Sequence, residues 1–78
     1  MKMDNEIFTT DRDWKEVFSP SQEDDVKKLA KQVDGELCFV YLFDETIPFP
    51  DSIMGRFIGF LIRKDGILYD ALEIEEVI

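Results

Sequence analysis

Asp44 and Glu45 stand side by side where an apolar run, residues 37–43, comes to its end. Two carboxylates at a strand end have the residue types for acid–base chemistry. In glycoside cleavage one such group is protonated and its neighbour ionised. The same pair is also an ordinary solvated loop start, and a chain of 78 residues leaves little room for a concave pocket around it. Nothing else adds weight to catalysis. The chain has no histidine, which removes the commonest general base and the commonest transition-metal ligand. Its one cysteine, Cys38, lies inside the apolar run and reads as a small buried hydrophobe. Cys-His and Ser-His-Asp nucleophiles are therefore excluded, as is a Cys/His zinc site. The expectation is a protein that is not an enzyme and holds no cofactor.

Metal binding through oxygen ligands fares little better. Asp11, Asp13 and Glu16 are closely spaced, but the stretch lacks the glycine and distal glutamate of a calcium loop. It reads instead as the start of a helix, and no metal site is expected. Gly55 and Gly59 have G-x-x-x-G spacing, yet Arg56 and the short apolar run rule out a membrane helix.

Recognition of another protein is the chemistry that the residues favour. The loop "ETIPFPDS" carries Phe49 between Pro48 and Pro50, with Ile47 beside it. Two prolines stiffen the loop and present an apolar tip. The isomer of each X–Pro bond is left open. Asp44, Glu45, Asp70, Glu73, Glu75 and Glu76 are the acidic residues expected to share in partner binding. The whole chain holds 18 acidic residues against 9 basic ones, a net charge of −9. Such a surface repels nucleic-acid backbones and anionic membranes and attracts a basic protein surface. We read residues 1–78 as one small acidic binding domain, a regulator or inhibitor that docks on a basic partner. Two alternatives stand beside it: a DNA mimic that blocks a nucleic-acid-binding cleft, and a self-associating accessory subunit. No signal-peptide core is visible near the N-terminus, and with Cys38 unpaired a reducing, cytoplasmic setting is expected.

The elements that must position these residues follow from periodicity. Residues 6–10 fit a short strand or an extended arm. Trp14, Val17 and Phe18 fall at i, i+3 and i+4, which predicts a short docked helix. A second, clearer helix is predicted over 20–33. Ser19 is its N-cap, Pro20 its first position and Gln22 the partner in a capping box. Val26, Leu29, Ala30 and Val33 form its apolar stripe, and Gly35 stops it. The acids Glu23, Asp24 and Asp25 complement the helix dipole at its start. Three strands are expected next: 37–43, 56–63 and 67–74, the last two joined by a turn at Asp65 and Gly66. The predicted fold is α+β, a short arm or strand and two helices followed by a three-stranded antiparallel sheet (ααβββ or βααβββ), with the main helix on one face.

That sheet sets a question. The first two predicted strands are apolar on both sides. A single amphipathic helix covers one face, so the other needs a second layer. The Trp14 helix and the N-terminal arm are the internal candidates. The alternative is another chain, most simply a symmetric homodimer formed through the sheet face or through the edge of the third strand.

Overall fold

The computed structural model describes residues 5–43 and 55–78. Asp44, Glu45, Ile47, Phe49 and both loop prolines lie outside these residues. The architecture is α+β, with one α-helix and a four-stranded mixed sheet among the described residues. β1 (Glu6–Thr9), β2 (Glu36–Leu42), β3 (Arg56–Lys64) and β4 (Ile67–Tyr69) lie side by side in chain order. β2, β3 and β4 are antiparallel neighbours, as expected. β1 pairs parallel to β2, setting Ile7 beside Val40 and Phe8 beside Tyr41. Residues 6–9 thus take the strand option expected over 6–10, and they add a fourth, parallel strand to the three antiparallel ones expected in the sheet.

The main helix forms where its capping signals place it. A 3-10 turn (Pro20–Gln22) leads into α1 (Glu23–Gln32), and the Gln22 side-chain oxygen accepts the Ser19 N–H at 2.9 Å. Glu23 and Lys27 form an ion pair of 2.8 Å one turn apart. At the far end Gly35 N–H reaches the Ala30 carbonyl at 2.7 Å and Asp34 N–H the Lys31 carbonyl at 3.2 Å. This is a Schellman closure in which Asp34, at φ 60°, takes the left-handed position. The stop therefore sits one residue before the expected Gly35. An Asp34→Gly substitution should relieve the left-handed cost and raise stability by about 0.5–1 kcal/mol in urea unfolding.

α1 covers one face of the sheet. Val26, Ala30 and Val33 pack against Phe60 and Ile62, and Ile74 closes the same cluster. The opposite face is also buried: Cys38, Val40 and Leu61 have no exposed surface. Ile7, Val17, Ile58 and Leu68 pack against them. The question set by the doubly apolar strands is thus answered within the chain. The covering layer is not the expected helix, however.

Residues 10–18 run as a series of turns and then as extended chain. The Asp11 side chain takes the Asp13 N–H at 3.0 Å, and only Trp14 N–H closes a helix-like turn, onto the Asp11 carbonyl at 3.3 Å. Phe18 then exchanges both backbone hydrogen bonds with Phe60, at 2.9 and 2.8 Å. Extended chain sends neighbouring side chains to opposite faces. So Val17 joins the second-face cluster while Phe18 packs on the α1 side. A two-turn helix is marginal by itself, and these β-type contacts outweigh it.

The Phe18 bridge also accounts for the shortened third antiparallel strand. Phe60 and Ile62 point their backbone groups to the same side of β3. Ile62 pairs there with Tyr69, and Phe60 with Phe18. Residues 70–74 therefore find that edge occupied. They turn away into a 3-10 turn, Glu73–Glu76, instead of continuing the strand. A bulge in β3 resets which of its side chains share a face. Tyr41 pairs with Phe57 and Val40 with Gly59, so Ile58 is the extra residue. Phe57 then joins Phe60 on the α1 side and Ile58 joins Leu61, the reverse of simple alternation.

Candidate functional site

The sequence turns twice at one end of β4, and both turns converge on one carboxylate. Asp70 is 8% exposed. Its Oδ1 accepts the N–H groups of Leu72 at 3.0 Å and Glu73 at 2.8 Å. Its Oδ2 accepts the Glu16 N–H at 3.2 Å. Ala71 N–H in turn reaches the Glu16 carbonyl at 2.9 Å. Burial by itself would push the Asp70 carboxyl up. The backbone N–H bonds from Glu73, Glu16 and Leu72, with the charge of Lys15, outweigh it and hold the group below the usual carboxylate range. With both oxygens engaged by backbone, Asp70 clamps two segments together and is not free for proton transfer.

That clamp builds an open groove of about 360 Å³, lined by Arg12, Asp13, Trp14, Lys15, Glu16, Asp70 and Leu72. Trp14 is 38% exposed and Leu72 67%. Lys15 Nζ pairs with Glu73 Oε1 at 2.9 Å and lies 5.8 Å from the centre of the Trp14 ring. The same Glu73 oxygen accepts the Asp70 N–H at 3.2 Å, so Glu73 fixes both Lys15 and the clamp. Lys15 thus lies near the indole, which keeps part of its surface in solvent. Chemically, the groove offers an aromatic and an aliphatic surface framed by charges of both signs, with further carboxylates on the adjoining 3-10 turn.

Of the residues expected to bind a partner, Asp70 lines the groove, Glu73 braces it, and Glu75 and Glu76 are exposed on the Glu73–Glu76 turn. Trp14 and Leu72 escaped the sequence reading as site residues. Trp14 has helical spacing to Val17 and Phe18, and that spacing marks a buried stripe when the helix exists. Leu72 alternates correctly for a strand that ends before reaching it.

A second exposed aromatic surface lies at the opposite edge of the sheet. Phe8, 50% exposed, stacks on Tyr41 at 5.2 Å and on Phe43 at 5.3 Å. Tyr41 meets Phe57 at 5.6 Å, and Phe57 meets the buried Phe60 at 5.1 Å.

No group of three or more His, Cys, Asp or Glu side chains is placed to hold a metal ion among the described residues. The Cys38 thiol is buried, and burial pushes its pKa up, away from the reactive thiolate. No helix among the described residues is long and apolar enough to cross a membrane. Comparison with protein-family models, with curated proteins and with solved structures finds no match to this chain.

Proposed function

We propose that this chain is a small acidic binding module that docks on a basic protein surface through the Trp14–Leu72 groove. The observation that carries the reading is the joint exposure of Trp14 and Leu72 in a groove on a chain of net charge −9. Tryptophan is enriched among residues that dominate binding energy, and such anchors act best inside a polar rim. Negative charge around the anchor speeds encounter with a basic partner and selects against acidic ones. The DNA-mimic alternative needs a long regular row of carboxylates. Here Glu23, Asp24 and Asp25 open α1, and Glu73, Glu75 and Glu76 lie on a separate turn. That division favours protein docking.

Selection of ligands from a displayed library of random peptides tests the reading. Peptides recovered on the native chain should combine lysine or arginine with a bulky apolar residue. Trp14→Ala should weaken their binding at least tenfold, about 1.4 kcal/mol, in calorimetric titration. Its melting temperature should stay within a few degrees of the parent, because the ring is partly exposed. Added salt should weaken binding by slowing association. Peptides lacking basic residues, or equal binding by the variant, would refute the proposal.

A further inference from the structure

The outer edge of β1 is built to accept another strand. The carbonyls of Asn5 and Thr9 receive the N–H groups of Phe39 and Phe43 at 2.7 and 2.9 Å. Odd-numbered residues of β1 therefore direct their backbone groups to β2. By alternation, the N–H and C=O groups of Glu6 and Phe8 point away from the sheet. β1 ends the sheet, so no strand among the described residues takes these groups. The other edge is less open. β4 spans three residues, and the chain just beyond it is tied to Glu16 by Asp70 and by the Ala71 N–H.

We propose that β1 pairs antiparallel with β1 of a second copy, about a two-fold axis through Phe8. Parity favours this occupant, and the register it sets leaves no like charges directly opposed. With Phe8 opposite Phe8 of the second copy, Glu6 falls opposite Thr10 and Ile7 opposite Thr9. The two Phe8 residues then exchange backbone bonds, and the outward groups of Glu6 face the chain just past the end of β1 of the second copy. Like charges directly opposed would destabilise the pairing, and this register opposes none. Glu6 is already engaged on its own chain, taking the Tyr41 hydroxyl at 3.4 Å. The aromatic row also continues: Phe43 and Tyr41 stack on Phe8, and the two Phe8 rings meet at the axis. Two four-stranded sheets become one continuous sheet, and an exposed edge that invites indiscriminate pairing is closed. A two-fold arrangement is the commonest closed one. The proposal does not depend on the groove reading, because the groove adjoins the far, β4, edge.

The test combines sedimentation equilibrium with a contact measured across the axis. From micromolar to millimolar concentration in moderate salt, the native chain should shift from 9.2 kDa towards twice that mass. Phe8→Pro removes an outward-facing N–H and the ring stacked on Tyr41 and Phe43, and leaves the backbone bonds to β2 in place. This variant should remain at 9.2 kDa throughout, with a native circular dichroism spectrum. Ile7 and Thr9 of opposite chains form a non-hydrogen-bonded pair, which brings their α-carbons to about 4.5 Å. Their Hα protons should give a cross-chain Overhauser contact in a mixture of isotope-labelled and unlabelled native chains. That measurement stands whether or not the proline variant folds. A single mass of 9.2 kDa at every concentration overturns the proposal, as does a dimer without the Ile7–Thr9 contact.

Discussion

Gly59→Ala is expected to destabilise the protein by about 3 kcal/mol, at the upper end of the cost of overpacking a tight interior. For a domain of this size that should lower the melting temperature by more than about 10 °C. A β-carbon at position 59 would run into the Phe18 carbonyl oxygen and come within 2.9 Å of Val17 Cγ2. Neither neighbour can yield cheaply. The Phe18 backbone is held by its two bonds to Phe60, and Val17 fills the second-face cluster. Relief of the clash must open the Phe18–Phe60 bridge, and with it the layer that hides Cys38, Val40 and Leu61. Amide exchange should therefore speed up first at Phe18 and Phe60. Gly66→Ala is the control. That glycine sits at φ 80° in the β3–β4 turn with open space around it, so only the left-handed cost applies, about 1 kcal/mol. Equal losses from the two substitutions would show that the close approach at Gly59 is not what matters there.

The second large effect is expected at Asp70. Asp70→Ala removes the acceptor of three backbone N–H groups, two of which open the Glu73–Glu76 turn and one of which belongs to Glu16. Loss of a cap costs about 1 kcal/mol and a donor left without a partner adds a similar amount or more, so about 2–3 kcal/mol is expected in urea unfolding. The Trp14 groove should loosen as well, since the clamp forms one wall of it. A pH signature separates the carboxylate from simple packing. The folded Asp70 titrates below its ordinary range, so its ionised form stabilises the fold. That contribution is complete above about pH 5, where the unfolded group is fully ionised. It is lost as pH falls through the lower, folded value. The stability gap between the native chain and Asp70→Asn should therefore be constant from pH 7 to about pH 5 and narrow below about pH 4. A gap that does not change over the acid range would remove the charge from the explanation.

What is legible in the sequence is what neighbours decide. Ser19, Pro20 and Gln22 act within one turn, so the start of α1 can be read from them. Asp65 and Gly66 both take positive φ, at 55° and 80°, in the two-residue hairpin loop they were expected to form. The stripe of Val26, Ala30 and Val33 identifies the face that α1 buries. The doubly apolar residues 37–42 correctly announce a strand covered on both sides. The acidity and the lack of histidine bound the chemistry by composition alone. The binding role itself remains the proposal made above, and the Phe49 loop lies outside the described residues.

Tertiary structure decided the rest, because it depends on which segment reaches an edge first. Residues 14–18 have helical spacing and 67–74 have strand spacing, and each pattern is sound in isolation. Both are overridden by one long-range event, the pairing of Phe18 with Phe60. That pairing unwinds the short helix, sends Val17 to the second face, leaves Trp14 partly in solvent and takes the edge that residues 70–74 would have used. The groove exists only because those displaced residues meet again at Asp70. Four residues of β1 could not announce their parallel partner either, since β2 lies across the whole α1 crossover. Local patterns report the preferences of a segment, whereas strand pairing is a competition for backbone partners, and its winner is set by chain segments far apart in the sequence.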